Sequence, residues 1–266
     1  MKRNVLSPFL FVGLLVLVVG LACGFDIGTN PSQPAPAPIV PATSAPIQPT
    51  LEQPTVAPPP TAEPPTATLP PPSPFFKEDF LTDVLGDWSN FVTADDPKSD
   101  KNKAKYSIEN GRLVFNITDN YLYSYLIYDK QSYEDVRVEV SADNRGKNNN
   151  NVSLICRYSK DGWYEFNIAN NGLFNILAYD ATGAVHKGYT AIFTSGSNAI
   201  KMGKETNVYV AVCSGKNLSL YINGEESANV NDNRFGFTRG NVGISVSSFN
   251  VYPIIVEFDY FDIQEP

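Results

Sequence analysis

The sequence predicts an all-β sandwich. Three observations carry this reading. Runs rich in Val, Ile, Phe and Tyr recur along residues 75–266, with apolar and polar side chains alternating at the two-residue period of a strand. Turn signals such as Asn110-Gly111, Asn170-Asn171-Gly172 and Asn223-Gly224 separate those runs. No segment of the region repeats at the helical period. Roughly a dozen short strands joined by short turns make two packed sheets.

The chain begins with an export segment, Met1 to Cys23. Lys2 and Arg3 give the positive start and Val5–Val19 the apolar core. Gly20-Leu21-Ala22 then places small residues before Cys23. The segment resembles a bacterial lipoprotein signal, in which the cysteine is lipidated and becomes the new N-terminus. Ala22 and Cys23 match that pattern, whereas Gly20 stands where an aliphatic residue is usual. Ordinary cleavage at the same site and an uncleaved membrane anchor are the alternatives, since the segment is just long enough to span. With acyl chains contributing about 0.8 kcal/mol per buried CH₂, two or three chains hold a protein on a membrane. The expected location is therefore the outer face of the cell membrane, with the folded domain extracellular.

Residues 24–74 read as a disordered linker. Seventeen of the 21 prolines lie between Pro31 and Pro74, interleaved with Thr, Ala and Gln. Such a stretch buries too little apolar surface to fold, and proline biases it to an extended helix of about 3.1 Å per residue. It suits a spacer that carries residues 75–266 away from a membrane.

Charge and chemistry narrow the function classes. The chain's formal charge is −8, and residues 75–266 carry 18 basic against 25 acidic side chains. An acidic domain without a basic run repels a phosphate backbone, so no nucleic-acid partner is expected. Three cysteines and one histidine exclude a zinc site of Cys and His clusters. His186 sits in the polar stretch Val185-His186-Lys187-Gly188 and reads as a surface histidine.

The folded region starts near Phe75. Phe75–Phe80 reads as a first strand, followed by Gly86-Asp87-Trp88, and Asp95–Lys105 reads as a loop. Tyr106–Glu109 and Arg112–Ile117 form a hairpin about Asn110-Gly111. Leu122–Tyr128 and Val136–Ala142 alternate, and Asn144–Asn151 is a loop. The clearest stretch is Val152–Asp180, a three-stranded antiparallel meander. Three-residue turns at Lys160-Asp161-Gly162 and Asn170-Asn171-Gly172 set Leu154, Cys156, Phe166, Ile168, Phe174 and Ile176 on one face. Two-residue turns would put Asn175 there instead, and slipping by one flips every side chain.

The opposite face collects Arg157 beside Glu165, Asn167 beside Asn175, and Trp163 beside Tyr179, among Ile155, Leu173 and Leu177. Aromatic rings for stacking and planar amides and charges for hydroxyls suit a sugar. Arg157, Trp163, Glu165, Asn167, Asn175 and Tyr179 are therefore the candidate ligand-binding residues. A sheet face covered by loops is the plainer alternative.

A loop with Ser195-Gly196-Ser197 follows, then another hairpin. Val208, Val210 and Val212 share a side with Leu218, Leu220 and Ile222 about a Ser214-Gly215-Lys216 turn, leaving Tyr209 facing Tyr221. Gly240–Ser248 alternates again, and Ile254–Ile263 closes the domain. Cys156 and Cys213 remain as a pair in an exported domain, so a disulfide is expected. In these registers Cys213 points away from the core side, and a bulge or twist near Ser214-Gly215 must reconcile the two.

Several stretches resemble the concanavalin A-like lectin/glucanase, or laminin-G-like, superfamily. They are Glu78-Asp79-Phe80 near Trp88, Ile108–Leu113, Cys156-Arg157 with Gly162–Phe166, Leu218–Gly224, Gly240–Ile244 and Phe258–Phe261. The resemblance covers about Phe75–Ile263. It implies a two-sheet antiparallel jelly-roll sandwich with a curved front sheet. Domains of this type often bind glycans, and some are glycosidases or form calcium sites. A structural calcium would sit where first and last strands meet, at Glu78 or Asp79 with Asp259. Those three residues fall short of the six to eight oxygens calcium takes, so exposed strand-end acids are the plainer reading.

Catalysis finds less support. Glycoside hydrolysis needs two carboxyl groups flanking the bond. The Glu-x-Asp-x-(x)-Glu run of family-16 glucanases is absent, and Glu134 and Glu139 have opposite strand parity. The 3-keto-disaccharide hydrolase type has a similar fold, and its signature is not legible here. The expectation is a cell-surface lipoprotein whose non-catalytic domain binds carbohydrate. A glycoside hydrolase or sugar lyase on the same scaffold, or an adhesion protein that binds another protein, are the alternatives.

Overall fold

The computed structural model describes residues 73–266. The expected export segment, Cys23 and nearly all of the expected linker lie outside them. The first strands are β1 Phe76–Glu78, β2 Trp88–Ala94, β3 Ala104–Glu109, β4 Arg112–Ile117, β5 Leu122–Tyr133, β6 Val136–Asn144 and β7 Asn150–Ser159. The rest are β8 Gly162–Ala169, β9 Leu173–Asp180, β10 Gly188–Gly196, β11 Thr206–Ser214, β12 Asn217–Ile222, β13 Glu225–Asn231, β14 Gly240–Ser248 and β15 Ile254–Gln264. No α-helix occurs among the described residues.

Two antiparallel sheets form a jelly-roll sandwich. The back sheet runs β13-β12-β11-β6-β15-β4-β3, with β1 also paired to β15. The front sheet runs β10-β9-β8-β7-β14-β5-β2. The facing side chains interdigitate as one core that includes Leu113, Phe115, Val140, Leu154, Phe166, Phe174, Leu220, Ile244 and Phe258. Residues Leu154, Cys156, Phe166, Ile168, Phe174 and Ile176 all sit in it, as the alternation predicts. The β3–β4 turn is the expected one. Asn110 and Gly111 both take positive φ, 54° and 72°, as a two-residue hairpin loop requires.

Turn lengths account for the departures. β7 and β8 are joined by two residues, Lys160 and Asp161, since Ser159 pairs with Gly162. A β-bulge then shifts the register, so that Cys156 pairs with Tyr164 and Leu154 with Phe166. Arg157 sits in this bulge with φ of 55°. The expected pairing of Cys156 with Phe166 is off by two, an even number, so every face assignment of β8 and β9 survives.

At β11–β12 the error is odd, and the faces flip. Gly215 and Lys216 alone form the turn, with Ser214 opposite Asn217. Tyr209, Ala211 and Cys213 therefore pair with Ile222, Leu220 and Leu218 and face the core. Val210 and Tyr221 are opposite one another on the outer side, and Tyr209 does not face Tyr221. This turn also resolves the cysteines: Cys156 and Cys213 meet in the core as a disulfide between β7 and β11, with Cα atoms 6.7 Å apart. Three strands were not individually legible: β2, β10 and β13. β10 is a partly exposed edge strand whose alternation breaks at a bulge between Ala191 and Phe193.

Candidate functional site

The outer face of the front sheet divides in two. One part is a closed aromatic cluster on β2, β5, β7, β8, β9 and β10. Trp163 stacks on Tyr179 at 4.1 Å between ring centroids and meets Tyr158 at 5.2 Å. Phe91 stacks on Tyr125 at 4.5 Å, and Tyr179 meets Tyr189 at 4.8 Å. Trp163 is only 7 % exposed, so it is packed by its own neighbours and is no open stacking platform.

The other part is a cleft of about 300 Å³, at the lower end of the range for small-molecule sites. Glu165 and Asn167 of β8 form part of its lining, with Asn151 of β7 beside them. Tyr123 and Tyr125 of β5, Leu177 of β9 and Tyr189 of β10 contribute, as do Thr93, Asp95 and Phe249. The alternation that buries Tyr164, Phe166 and Ile168 is what turns Glu165 and Asn167 to this side.

A directed hydrogen-bond network converges on the Glu165 carboxylate, which is 3 % exposed. Ser153 Oγ donates to Oε1 at 2.7 Å. Tyr189 Oη donates to Oε2 at 2.8 Å, and Trp163 Nε1 to the same oxygen at 3.3 Å. Behind these donors stand others. Asn151 Nδ2 donates to Asn167 Oδ1 at 2.6 Å, and Asn167 Nδ2 to Ser153 Oγ at 2.8 Å. The Tyr125 and Tyr189 hydroxyls meet at 2.8 Å. Since Tyr189 gives its proton to Glu165, Tyr125 donates to Tyr189.

Every first donor to Glu165 is neutral, and the carboxylate makes no salt bridge among the described residues. Its negative charge is felt by the phenols instead. Burial pushes Tyr125 and Tyr189 well above the usual tyrosine range, and the Glu165 carboxylate adds to the rise. Tyr123 is pushed up by burial and by its hydrogen bond to Asp95 Oδ2, 2.6 Å long. These hydroxyls are fixed donors at any ordinary pH.

Of the six expected ligand residues, Glu165 and Asn167 line the cleft. Asn175 lies beside Asn167 in register and accepts from Thr194 Oγ1 at 2.7 Å. Trp163 and Tyr179 belong to the aromatic cluster. Arg157 does not join the site. The bulge turns it inward, and Ile155 takes its place opposite Glu165. Its guanidinium is buried and donates to the Glu134, Gly215 and Phe237 carbonyls at 2.8 Å each and to Asp135 at 3.2 Å. The Arg157–Glu165 ion pair expected from alternation is thus replaced by two separate arrangements.

The calcium acids also part company. Glu78 accepts from the Phe80 amide at 2.8 Å and Asp79 from the Leu81 amide at 3.2 Å. Asp259 lies in a bulge of β15, paired with Arg112 at 2.8 Å and Ser141 at 3.2 Å. No group of three or more acidic, Cys or His side chains among the described residues is placed to share a metal ion. Sequence reasoning missed Asn151, Ser153, Tyr123, Tyr125, Tyr189 and Asp95. The alternation in Leu122–Tyr128 held a signal for Tyr123 and Tyr125. Tyr189 needed strand β10, which was read as a connection.

Comparison with solved structures agrees on the architecture. A Bacillus subtilis protein of unknown function with a galectin-like fold matches with a TM-score of 0.55 at 8 % identity, over 71 % of this chain and 94 % of its own. A glycoside hydrolase family 16 endo-glucanase from Bacteroides ovatus matches at 0.52 and 11 %, over 71 % and 99 %. Bacillus licheniformis β-glucanase matches at 0.50 and 13 %, over 72 % and 98 %. At such identities the likeness is one of fold, that of the concanavalin A-like jelly roll. No curated protein matches the chain. A family model does match, across residues 82–254, and it is of the 3-keto type. That span is well over half of the sequence and contains the whole meander and cleft, so the chain belongs to the 3-keto-alpha-glucoside-1,2-lyase-like domain family.

Proposed function

We propose that the domain takes a saccharide in the cleft around Glu165 and Asn167, and that its basic function is carbohydrate binding. One observation carries this reading: the buried Glu165 carboxylate held by neutral donors at a cleft. Burying a carboxylate without a cation costs folding free energy, and such groups concentrate at functional sites. The Asn167 and Asn151 amides, the Tyr123 and Tyr189 hydroxyls and the Phe249 ring supply the polar and apolar contacts that a sugar needs. The family name and the glucanases among the fold relatives point to the same ligand class.

A second reading is favoured by the family match. A 1,2-lyase acting on a 3-keto-α-glucoside removes the proton on C2, forms a C1=C2 double bond as the C1–O bond breaks, and releases the C1 group as its alcohol once the abstracted proton is returned to the leaving oxygen. The keto group at C3 acidifies that proton, so one base suffices and no second carboxylate is needed. Glu165 is the residue for that role.

Titration calorimetry with methyl α-glucoside, its 3-keto derivative and a panel of oligosaccharides tests both readings. Binding that is lost in Asn167→Ala supports the cleft, and binding unchanged in that variant sinks it. Release of methanol from the 3-keto glucoside, abolished by Glu165→Gln while binding stays within about tenfold, supports elimination. Binding without release leaves the non-catalytic reading.

We further propose that the protein is displayed outside the cell on a lipid anchor at Cys23. The support is Lys2, Arg3, the Val5–Val19 run and the small residues before Cys23. Cells fed a labelled fatty acid are expected to label the wild type and not Cys23→Ser. Equal labelling of both overturns the anchor.

A further inference from the structure

Four connections gather at one end of the sandwich: β6–β7 (145–149), β8–β9 (170–172), β10–β11 (197–205) and β14–β15 (249–253). The strand registers put them there. Asn150 of β7 pairs with Ser248 of β14, Asn151 with Ala169 of β8, Leu173 of β9 with Gly196 of β10, and Asp143 of β6 with Thr206 of β11. Hydrogen bonds then lock the connections to one another. The Gly203 carbonyl accepts from Asn144 at 2.8 Å and from Asn170 at 3.0 Å, and the Gly203 amide donates to Asn170 at 2.9 Å. The Lys147 amide donates to the Pro253 carbonyl at 2.9 Å.

This end exposes what the rest of the domain hides. Seven large hydrophobic side chains are exposed among the described residues, and four stand here: Leu173, Met202, Val251 and Tyr252, each between 42 % and 61 % exposed. Cations accompany them. The four connections carry Arg145, Lys147, Lys201 and Lys204 against one acid, Glu205, in a domain whose 18 basic side chains are outnumbered by 25 acidic ones. The β2–β3 and β4–β5 connections share this end at the far edge of both sheets, and there lysines and acids are mixed. A hollow of about 280 Å³ opens among the cations, with Arg145, Lys147, Asn148, Lys204 and Pro253 in its wall and no carboxylate. Arg145 is spent on Asp143 at 2.9 Å and Glu257 at 3.5 Å. Lys147, Lys201 and Lys204 make no salt bridge among the described residues.

An exposed apolar group rimmed by unpaired cations marks an interaction surface. The combination fits the boundary of an anionic bilayer, where apolar side chains enter the acyl edge and lysines meet headgroup phosphates. Tyrosine suits that boundary too, with an apolar ring and a polar tip. We propose that this end of the sandwich docks on a bilayer surface carrying anionic phospholipid. Met202, Val251 and Tyr252 meet the acyl boundary, and Lys147, Lys201 and Lys204 meet the phosphates. The inference rests neither on the saccharide reading of the cleft nor on the anchor at Cys23.

Fluorescence quenching tests it. The chain's two tryptophans, Trp88 and Trp163, are buried, so one added at this end reports on its own surroundings. Full-length Tyr252→Trp protein is titrated with vesicles of phosphatidylcholine and phosphatidylglycerol in equal parts, brominated on their acyl chains. The added emission is expected to be quenched there and to persist with brominated phosphatidylcholine alone. Val251→Trp is expected to behave alike, so the test does not depend on one variant folding. Lys147→Ala, Lys201→Ala and Lys204→Ala together are expected to weaken docking by about a hundredfold, at about fivefold per charge, and so to abolish the quenching. Emission from both added tryptophans that no brominated vesicle quenches overturns the docking face, whatever holds the N-terminus of the chain. Quenching that is equal without phosphatidylglycerol, or that survives the triple change, overturns the anionic headgroup as the partner. Sugar binding in the cleft is measured separately and stands or falls by itself.

Discussion

Four hydrogen bonds from one buried guanidinium tie three connections together at Arg157. The partners are the turn between β5 and β6 through Glu134 and Asp135, the β11–β12 turn through Gly215, and the β13–β14 connection through Phe237. Asp135 is half exposed, so the ion pair itself adds little. The three carbonyls matter more, because they lose their donor when the side chain is removed. Arg157→Met is expected to lower unfolding free energy by about 3 kcal/mol or more. Arg157→Lys recovers only part, since an ammonium cannot reproduce the planar fork. A urea series on the three proteins checks this, and a loss below about 1 kcal/mol in Arg157→Met would show that the hub is dispensable. This residue also marks the limit of what alternation reveals. Glu165 and Asn167 were legible because β8 is regular. Arg157 was assigned to the same face because nothing in Cys156-Arg157-Tyr158 announces a bulge. A left-handed arginine is paid for by tertiary contacts that local sequence does not contain.

Among the elements, turn length decides which face a strand presents. The two-residue β7–β8 and β11–β12 turns were each read as three. The bulge at Arg157 restored the parity of the first, and nothing restored the second. Strand β10 was illegible for another reason. It is an edge strand, broken by a bulge and exposed at every second or third residue, so its pattern is faint. Yet it delivers Tyr189 to Glu165. The loop before it is organised by Asp180, whose carboxylate accepts from the Thr182, Gly183, Val185 and His186 amides and from the Thr182 hydroxyl. Those bonds, the Val185 amide first, hold its pKa well below the usual carboxylate value of 3.8. A depressed folded pKa contributes stability above the unfolded value and loses it as pH falls through the folded one. The loop is therefore expected to hold firm down to pH of about 4 and to loosen at lower pH. Hydrogen exchange should show the Val185 and His186 amides protected near neutrality. Asp180→Asn should lose that protection and weaken saccharide binding through a displaced Tyr189. Equal protection in wild type and variant would show that the loop holds without the carboxylate.

For the whole molecule, the two sheets are joined by a shared core and by the Cys156–Cys213 disulfide. Closing a loop with a sequence separation of 57 residues contributes about 4 kcal/mol in the chain-entropy account. The fold class, the central meander and the pairing of the cysteines were all legible, because they rest on alternation and on cysteine count, which are local and compositional signals. The cleft was not, because its walls come from β2, β5, β7, β8, β9 and β10, and only packing brings those together. The same packing buries phenols. Burial pushes Tyr125, Tyr164, Tyr189 and Tyr209 well above the ordinary tyrosine value of 10.0. A raised folded pKa gives stability that is complete below the unfolded value and declines as pH rises toward the folded one. Unfolding free energy is therefore expected to be insensitive to these four groups up to pH of about 10, and to fall beyond it as the unfolded chain alone ionises. Tyr189→Phe should soften that alkaline fall, because it removes one of the groups responsible. Phenolate absorbance followed together with circular dichroism distinguishes the outcomes. The expected result is that the slow-titrating phenols ionise only as the sheet signal is lost. If all tyrosines titrate reversibly near pH of about 10 while the fold persists, the hydroxyls are not held by Glu165 and the core as described.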